Sequence, residues 1–168
     1  MASIYEVLVT KALAADTNYA AEDVLSNSTS AGTPWTFSAV TERNGGSGYI
    51  TKAVASWETT ALTPRLSLFL YNATPASVDN DNTAHDGATD ADVIAGKFVG
   101  RIDFPSLSDL GGNSEAIATP NIPNSGLPMS FTCASDADDL IGILVTRDAI
   151  TGETATDNMT IILSIERI

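Results

Sequence analysis

The sequence predicts an all-β protein: an antiparallel β-sandwich, jelly-roll-like, with about eight strands and long polar loops. Three stretches carry that expectation. Leu66, Leu68 and Leu70 alternate with Arg65, Ser67, Phe69 and Tyr71, a period of two that a pleated strand with one buried face requires and no helix reproduces. Just upstream, Tyr49, Thr51, Ala53, Ala55 and Trp57 share one face, with Ile50, Lys52, Val54, Ser56 and Glu58 on the other. The turn-prone Thr59-Thr60-Ala61-Leu62-Thr63-Pro64 joins the two runs, which together read as a central hairpin spanning Gly48 to Asn72. Finally, Leu140 to Arg147 is apolar on both faces, through Ile141, Ile143 and Val145 and through Leu140 and Leu144. A strand covered on both sides has that character.

The remaining elements follow in chain order. Ile4 to Thr10 sets Tyr5, Val7 and Val9 against Ile4, Glu6 and Leu8, as a first strand. Residues 16–30 fit either one or two helical turns around Tyr19 to Val24 or an irregular connection among Asn, Ser and Thr clusters. Trp35, Phe37 and Ala39 alternate with Thr36, Ser38 and Val40, and the glycine-rich 43–48 forms a flexible turn. Ala73 to Asp92 holds five aspartates and almost no large apolar residue. A loop of that length sits on the surface and points to solvent. Phe98, Gly100, Ile102 and Phe104 then share one face of a strand that stops at Pro105. Pro105 to Pro128 reads as a second long loop, marked by Gly111-Gly112 and three further prolines. Met129, Phe131 and Cys133 make a short strand, and Ser135 to Asp139 a turn. Ile161, Leu163 and Ile165 alternate with Thr160, Ser164 and Glu166 in a closing strand.

At 168 residues the chain reads as one domain, 1–168, with 1–30 a candidate extended arm. That length buries roughly 70% of the unfolded surface without staples. Net charge is −13, from 21 acidic and 8 basic residues with no Lys/Arg run. Such a balance argues against nucleic acid and anionic membranes as partners and leaves a basic surface as an acceptable one. Cys133 is the single cysteine, so no internal disulfide forms. The first residues lack the basic and apolar segments of a signal peptide, and no apolar run approaches the ~20 residues of a membrane span. Synthesis and residence in a cytoplasm are therefore expected.

Reactive chemistry finds few residues to carry it. His85 is the only histidine and lies in the Asp-rich loop, with no G-x-S-x-G elbow elsewhere. A solvated loop histidine is the simpler reading. Cys133 occupies an alternating strand position and reads as a buried structural thiol. Gly96-Lys97-Phe98 lacks the spacing of a phosphate loop, and zinc lacks ligands. No cofactor is expected. Calcium alone has weak candidates: Asp79 and Asp81 in one loop, and Asp136, Asp138 and Asp139 in another, set oxygens at short spacing without the EF-hand glycine and glutamate. With 21 acidic residues a glycosidase-like carboxylate pair arises by chance, so it carries no weight. Trp35, Trp57, Tyr49 and Tyr71 fit either core packing or a sugar-stacking platform, and their strand positions favour the core.

The phrases Leu66-Ser67-Leu68-Phe69-Leu70-Tyr71-Asn72-Ala73-Thr74-Pro75, Ile102-Asp103-Phe104-Pro105 and Leu140 to Arg147 resemble small virion structural proteins of tailed bacteriophages. The likeness spreads from Tyr19 to Glu166 and includes no site motif. It implies a capsid decoration (cement) or minor head protein without enzymatic activity, localised in the virion after synthesis in the host cytoplasm. Its partner would be the major capsid protein, with the chain itself a dimer or trimer. On that reading the contacts come from Ala2 to Asn27 and from the 105–128 loop, where apolar residues sit in irregular chain. A fibre, baseplate or host-recognition module that holds carbohydrate is the competing expectation, and a sandwich hydrolase the third.

Overall fold

The computed structural model describes residues 3–14, 18–76, 80–87 and 90–168. Among them ten strands form two antiparallel sheets. In the larger sheet β1 (Ser3–Ala12), β10 (Asn158–Arg167), β3 (Ser47–Trp57), β7 (Ser114–Ala118) and β6 (Ser108–Asp109) lie in that order. A further strand, β8 (Met129–Thr132), pairs the first residues of β3 while β7 pairs its last ones. The smaller sheet runs β2 (Trp35–Phe37), β9 (Leu140–Thr146), β4 (Leu66–Tyr71), β5 (Phe98–Phe104). The pairings nest: β1 with β10, β2 with β9, β3 with β7 and β8, β4 with β5. Strands β1 to β4 alternate between the sheets and the later strands retrace that path, which is the wound hairpin of a jelly roll. The expected fold class is therefore present, with ten strands in place of about eight.

The core fills the space between the sheets. Trp35, Phe37, Leu66, Leu68, Leu70, Ile102 and Leu144 from the smaller sheet face Ile50, Ala53, Ala55, Trp57, Ile161, Leu163 and Ile165 from the larger. Alanines on β3 and β7 leave room for the two indoles. At Gly142, on the inner face of β9, a Cβ would stand 2.9 Å from Leu68 and 3.1 Å from the Phe37 ring, so a side chain there would have to displace its core neighbours.

Several expectations need correction. Residues 48–72 are not a hairpin: β3 and β4 belong to different sheets, and 58–65 crosses between them. Both strands have an apolar face, and those faces meet across the core rather than side by side. On β3 the register shifts between Lys52 and Ile50, opposite Ser164 and Ile165, leaving Thr51 as the extra residue of a bulge. Ile50 thereby turns inward with Ala53, Ala55 and Trp57, and Tyr49 turns out. Strand β4 is buried on both faces rather than one, with Phe69 and Tyr71 joining Val24, Ile141, Ile143 and Val145 in a second apolar cluster. A register shift at Leu70/Tyr71 sends Phe98 to that outer cluster, away from Ile102 and Phe104. Ala39 lies in a turn with φ 54°, so β2 ends at Phe37.

The loops depart from expectation too. Within 105–128 lie β6 and β7, whose alternation is too short to read against the surrounding prolines and glycines. Residues 3–12 form a strand rather than a free arm. No helix occurs in the described part of 16–30; instead Tyr19, Asp23 and Val24 bridge to Ile150, Ala84 and Val145. The Asp-rich loop does not simply point to solvent. It runs into α1 (Asp90–Ile94), buries Asp81 and Asp92, and hydrogen-bonds along 22–25 through Val24 N–H to the Thr83 carbonyl (2.9 Å) and His85 N–H to the Glu22 carbonyl (2.8 Å).

Candidate interaction surface

The residues singled out for chemistry are mostly absorbed by the fold. Asp81 is buried, accepting hydrogen bonds from the Tyr19 hydroxyl (3.0 Å) and the Ser26 N–H (2.6 Å). Its calcium companion, Asp79, lies outside the described residues. No group of three or more His, Cys, Asp or Glu side chains among the described residues is placed to hold a metal ion. The His85 ring packs on Phe69, with centroids 4.6 Å apart. Cys133 is buried against Thr41, and burial pushes its thiol above the ordinary range, which keeps it protonated. Trp35, Trp57 and Tyr71 are 1%, 0% and 1% exposed, so no sugar platform can be built from them; Tyr49 alone of the four reaches solvent.

What the fold does assemble is a surface. On the outer face of the six-stranded sheet, Leu8 stands opposite Ile162, Ile162 opposite Val54, and Val54 opposite Ile117. One apolar row thus crosses β1, β10, β3 and β7. Leu8 is 62% and Ile117 44% exposed, while Val54 and Ile162 between them are half-buried by their neighbours. Directly opposed residues sit about 5 Å apart, so the row is continuous. Three of its four side chains are β-branched and hold few rotamers.

The flanks are polar. On one side Thr10, Thr160, Ser56 and Glu115 run in register, with the two threonine hydroxyls 2.7 Å apart and Asn113 donating to Ser56 (2.8 Å). On the other side Glu6, Ser164 and Lys52 form a hydrogen-bonded row. The bond from Lys52 (3.3 Å), then one from Ser164 (3.1 Å), hold the Glu6 carboxyl below the ordinary carboxylate range. Past the β3 bulge, Ile4 and Tyr49 reappear on the same outer face.

The two segments that the sequence nominated for contacts, 2–27 and 105–128, therefore supply β1 and β7, with the row's exposed ends Leu8 and Ile117. Both are strands, not irregular chain. The row itself escapes a sequence reading, because β10 and β7 each add a single apolar residue to an otherwise polar face, and on β1 and β3 Ile4 and Tyr49 stand apart from it. Its signal lies in registers between residues as distant as Leu8 and Ile162.

Among the described residues no helix is long and apolar enough to cross a membrane. No protein-family model matches the chain, and no curated protein matches it.

Proposed function

We propose that this chain is a non-enzymatic structural protein that adheres to a larger protein assembly through the outer face of its six-stranded sheet. In its most specific form the reading is a capsid decoration protein that seats on the outside of a tailed-phage head, against the major capsid protein. The observation that carries the adhesive part is the row Leu8, Ile162, Val54 and Ile117, exposed at both ends and covered by none of the described residues. Exposed apolar surface bounded by polar residues marks contact sites on otherwise soluble proteins. The phage part rests on the sequence resemblance.

The mechanism is burial. A rigid sheet presents stiff side chains that lose little freedom on contact, and water leaves the apolar row at roughly 25 cal/mol per Å². Interfaces of ~800 Å² per partner suffice when repeated over a lattice, and dimers or trimers multiply the gain. A net charge of −13 favours a cationic rather than an acidic partner face.

Co-sedimentation tests the reading. Purified protein is mixed with empty heads, with tails and with host envelopes. Saturable, stoichiometric binding to heads is expected, together with its loss in an Ile162→Asp/Ile117→Asp variant whose circular dichroism stays wild-type. Binding to envelopes alone, or head binding untouched by the double variant, overturns the proposal.

A further inference from the structure

The smaller sheet carries a different surface. At the end of β4, β9 and β5, a groove of about 470 Å³ is lined by Arg65, Arg147, Arg101, Asp103 and Asn124. Three of the chain's eight basic residues converge there, although no basic run exists in the sequence. Each guanidinium is clamped by a carboxylate. Arg65 donates through Nε and Nη2 to Asp148 (3.0 and 2.7 Å), Arg101 through the same atoms to Asp103 (3.1 and 2.8 Å), and Arg147 through Nη1 to Glu22.

Those clamps fix the arginines and leave nitrogens over. Arg65 Nη1, Arg101 Nη1 and Arg147 Nη2 have no acceptor among the described residues. Arg65 and Arg101 side chains are 60% and 45% exposed, so their free N–H groups are reachable. The groove continues past Arg101, Asp103 and Asn124 into a second hollow of about 510 Å³ whose wall includes the half-buried Phe98 ring. Each volume is in the range of small-ligand sites.

We infer that this groove binds a short acidic oligosaccharide, its carboxylate held by the free guanidinium nitrogens and its hydroxyls by Asp103 and Asn124. The charge count selects the class. Three guanidiniums face three carboxylates, so a polyanion such as nucleic acid finds no net positive field, least of all on a chain of net charge −13. A sugar acid brings only one carboxylate per residue, which the left-over guanidinium nitrogens can hold by charge-assisted hydrogen bonds, and many hydroxyls, which need acceptors as well as donors. Phe98, one hollow further on, offers an apolar ring on which the next sugar can lie. The site lies on the other sheet from the proposed adhesive face and does not depend on it.

Calorimetric titration of the whole chain tests this, with digalacturonate as probe and neutral maltose and inorganic phosphate as controls. Digalacturonate is expected to bind at millimolar concentration or below, at least about tenfold tighter than maltose or phosphate. Arg101→Gln is expected to weaken it by a further factor of about ten, with an unchanged melting temperature; Phe98→Ala is expected to weaken the disaccharide but not monomeric galacturonate. Absence of digalacturonate binding, equal binding of maltose, or equal binding of phosphate each overturns the inference. Since no capsid enters the experiment, its failure leaves the adhesive reading standing, and the reverse.

Discussion

The two sheets are built from the same kind of strand and meet solvent in opposite ways. Outside the four-stranded sheet, Phe69, Tyr71, Ile141, Ile143 and Val145 are all buried, because residues 22–25 and the loop around His85 lie against them. Outside the six-stranded sheet none of the described residues supplies such cover, and the row from Leu8 to Ile117 meets water at both ends. One outer face is therefore part of the folding core. The other contributes little to folding and is the face proposed above for contact, which is a distinction that hydrophobicity alone does not draw: both faces carry Ile, Val or Leu.

Substitutions can break that contrast directly. Ile143→Ala empties a buried site under the cover and is expected to cost about 2–4 kcal/mol. Leu8→Ser and Ile117→Ser, at the exposed ends of the row, are expected to stay within about 0.5 kcal/mol of wild type. Urea unfolding monitored by circular dichroism measures all three. Equal costs on the two faces would mean that the apolar row packs against part of the chain itself, and the proposed contact surface would go with it.

A finer test uses the two tryptophans, one per sheet and both fully buried. Trp35 Nε1 donates to the Leu25 carbonyl (3.1 Å), tying the smaller sheet to the segment that covers it. Trp57 sits edge-on to Tyr19, centroids 6.4 Å apart, and its indole N–H has no acceptor among the described residues. Replacing each by Phe removes similar volume, so the difference between them isolates the hydrogen bond. Trp35→Phe is expected to be the more destabilising by about 1 kcal/mol. Matched thermal melts decide it, and equal losses would mean that the Leu25 bond holds nothing.

The same contrast explains what was legible in the sequence. Alternation at Leu66, Leu68 and Leu70, the two-faced run at Leu140 to Val145 and the closing Ile161, Leu163 and Ile165 mark strands because local sterics and burial act within a few residues. Sheet membership was not legible: β3 and β4 pack face to face across the core, and their pattern is the same as for strands side by side. The bulge at Thr51 was equally hidden, since it is set by the partner strand β10. Burial of the Asp-rich loop was missed because Asp81 and Asp92 look solvated until Tyr19, Ser26 and the Ala76 N–H are brought to them. Both surfaces argued for function, the apolar row and the arginine groove, exist only through register and topology. Arg65, Arg101 and Arg147 lie too far apart in sequence to look like a cluster.

Lys11 supplies the smallest and sharpest test, because it joins the two sheets at their β1–β2 side. Its Nζ donates to the Thr33 carbonyl (2.6 Å) and Thr33 Oγ1 (2.7 Å) and stands 5.6 Å from the Trp35 ring centroid. Burial pulls its pKa down to about 8, against about 10.4 in the unfolded chain. Between those values the unfolded state holds a proton that the folded state has released, so stability rises with pH across the window. Below pH 8 the folded protein carries a partly desolvated ammonium, and the gain is absent. Half-exposure screens the effect, leaving about 1 kcal/mol, or roughly 2–4 °C in melting temperature for a chain of this size. Lys11→Met removes the titrating group, so the melting temperature of wild type relative to Lys11→Met should climb from pH 7.5 to pH 10. Taking the difference cancels tyrosines and other groups common to both proteins. A flat difference would mean that the lysine keeps its ordinary pKa, and that the β1 edge is as open to water at Lys11 as it is at Leu8.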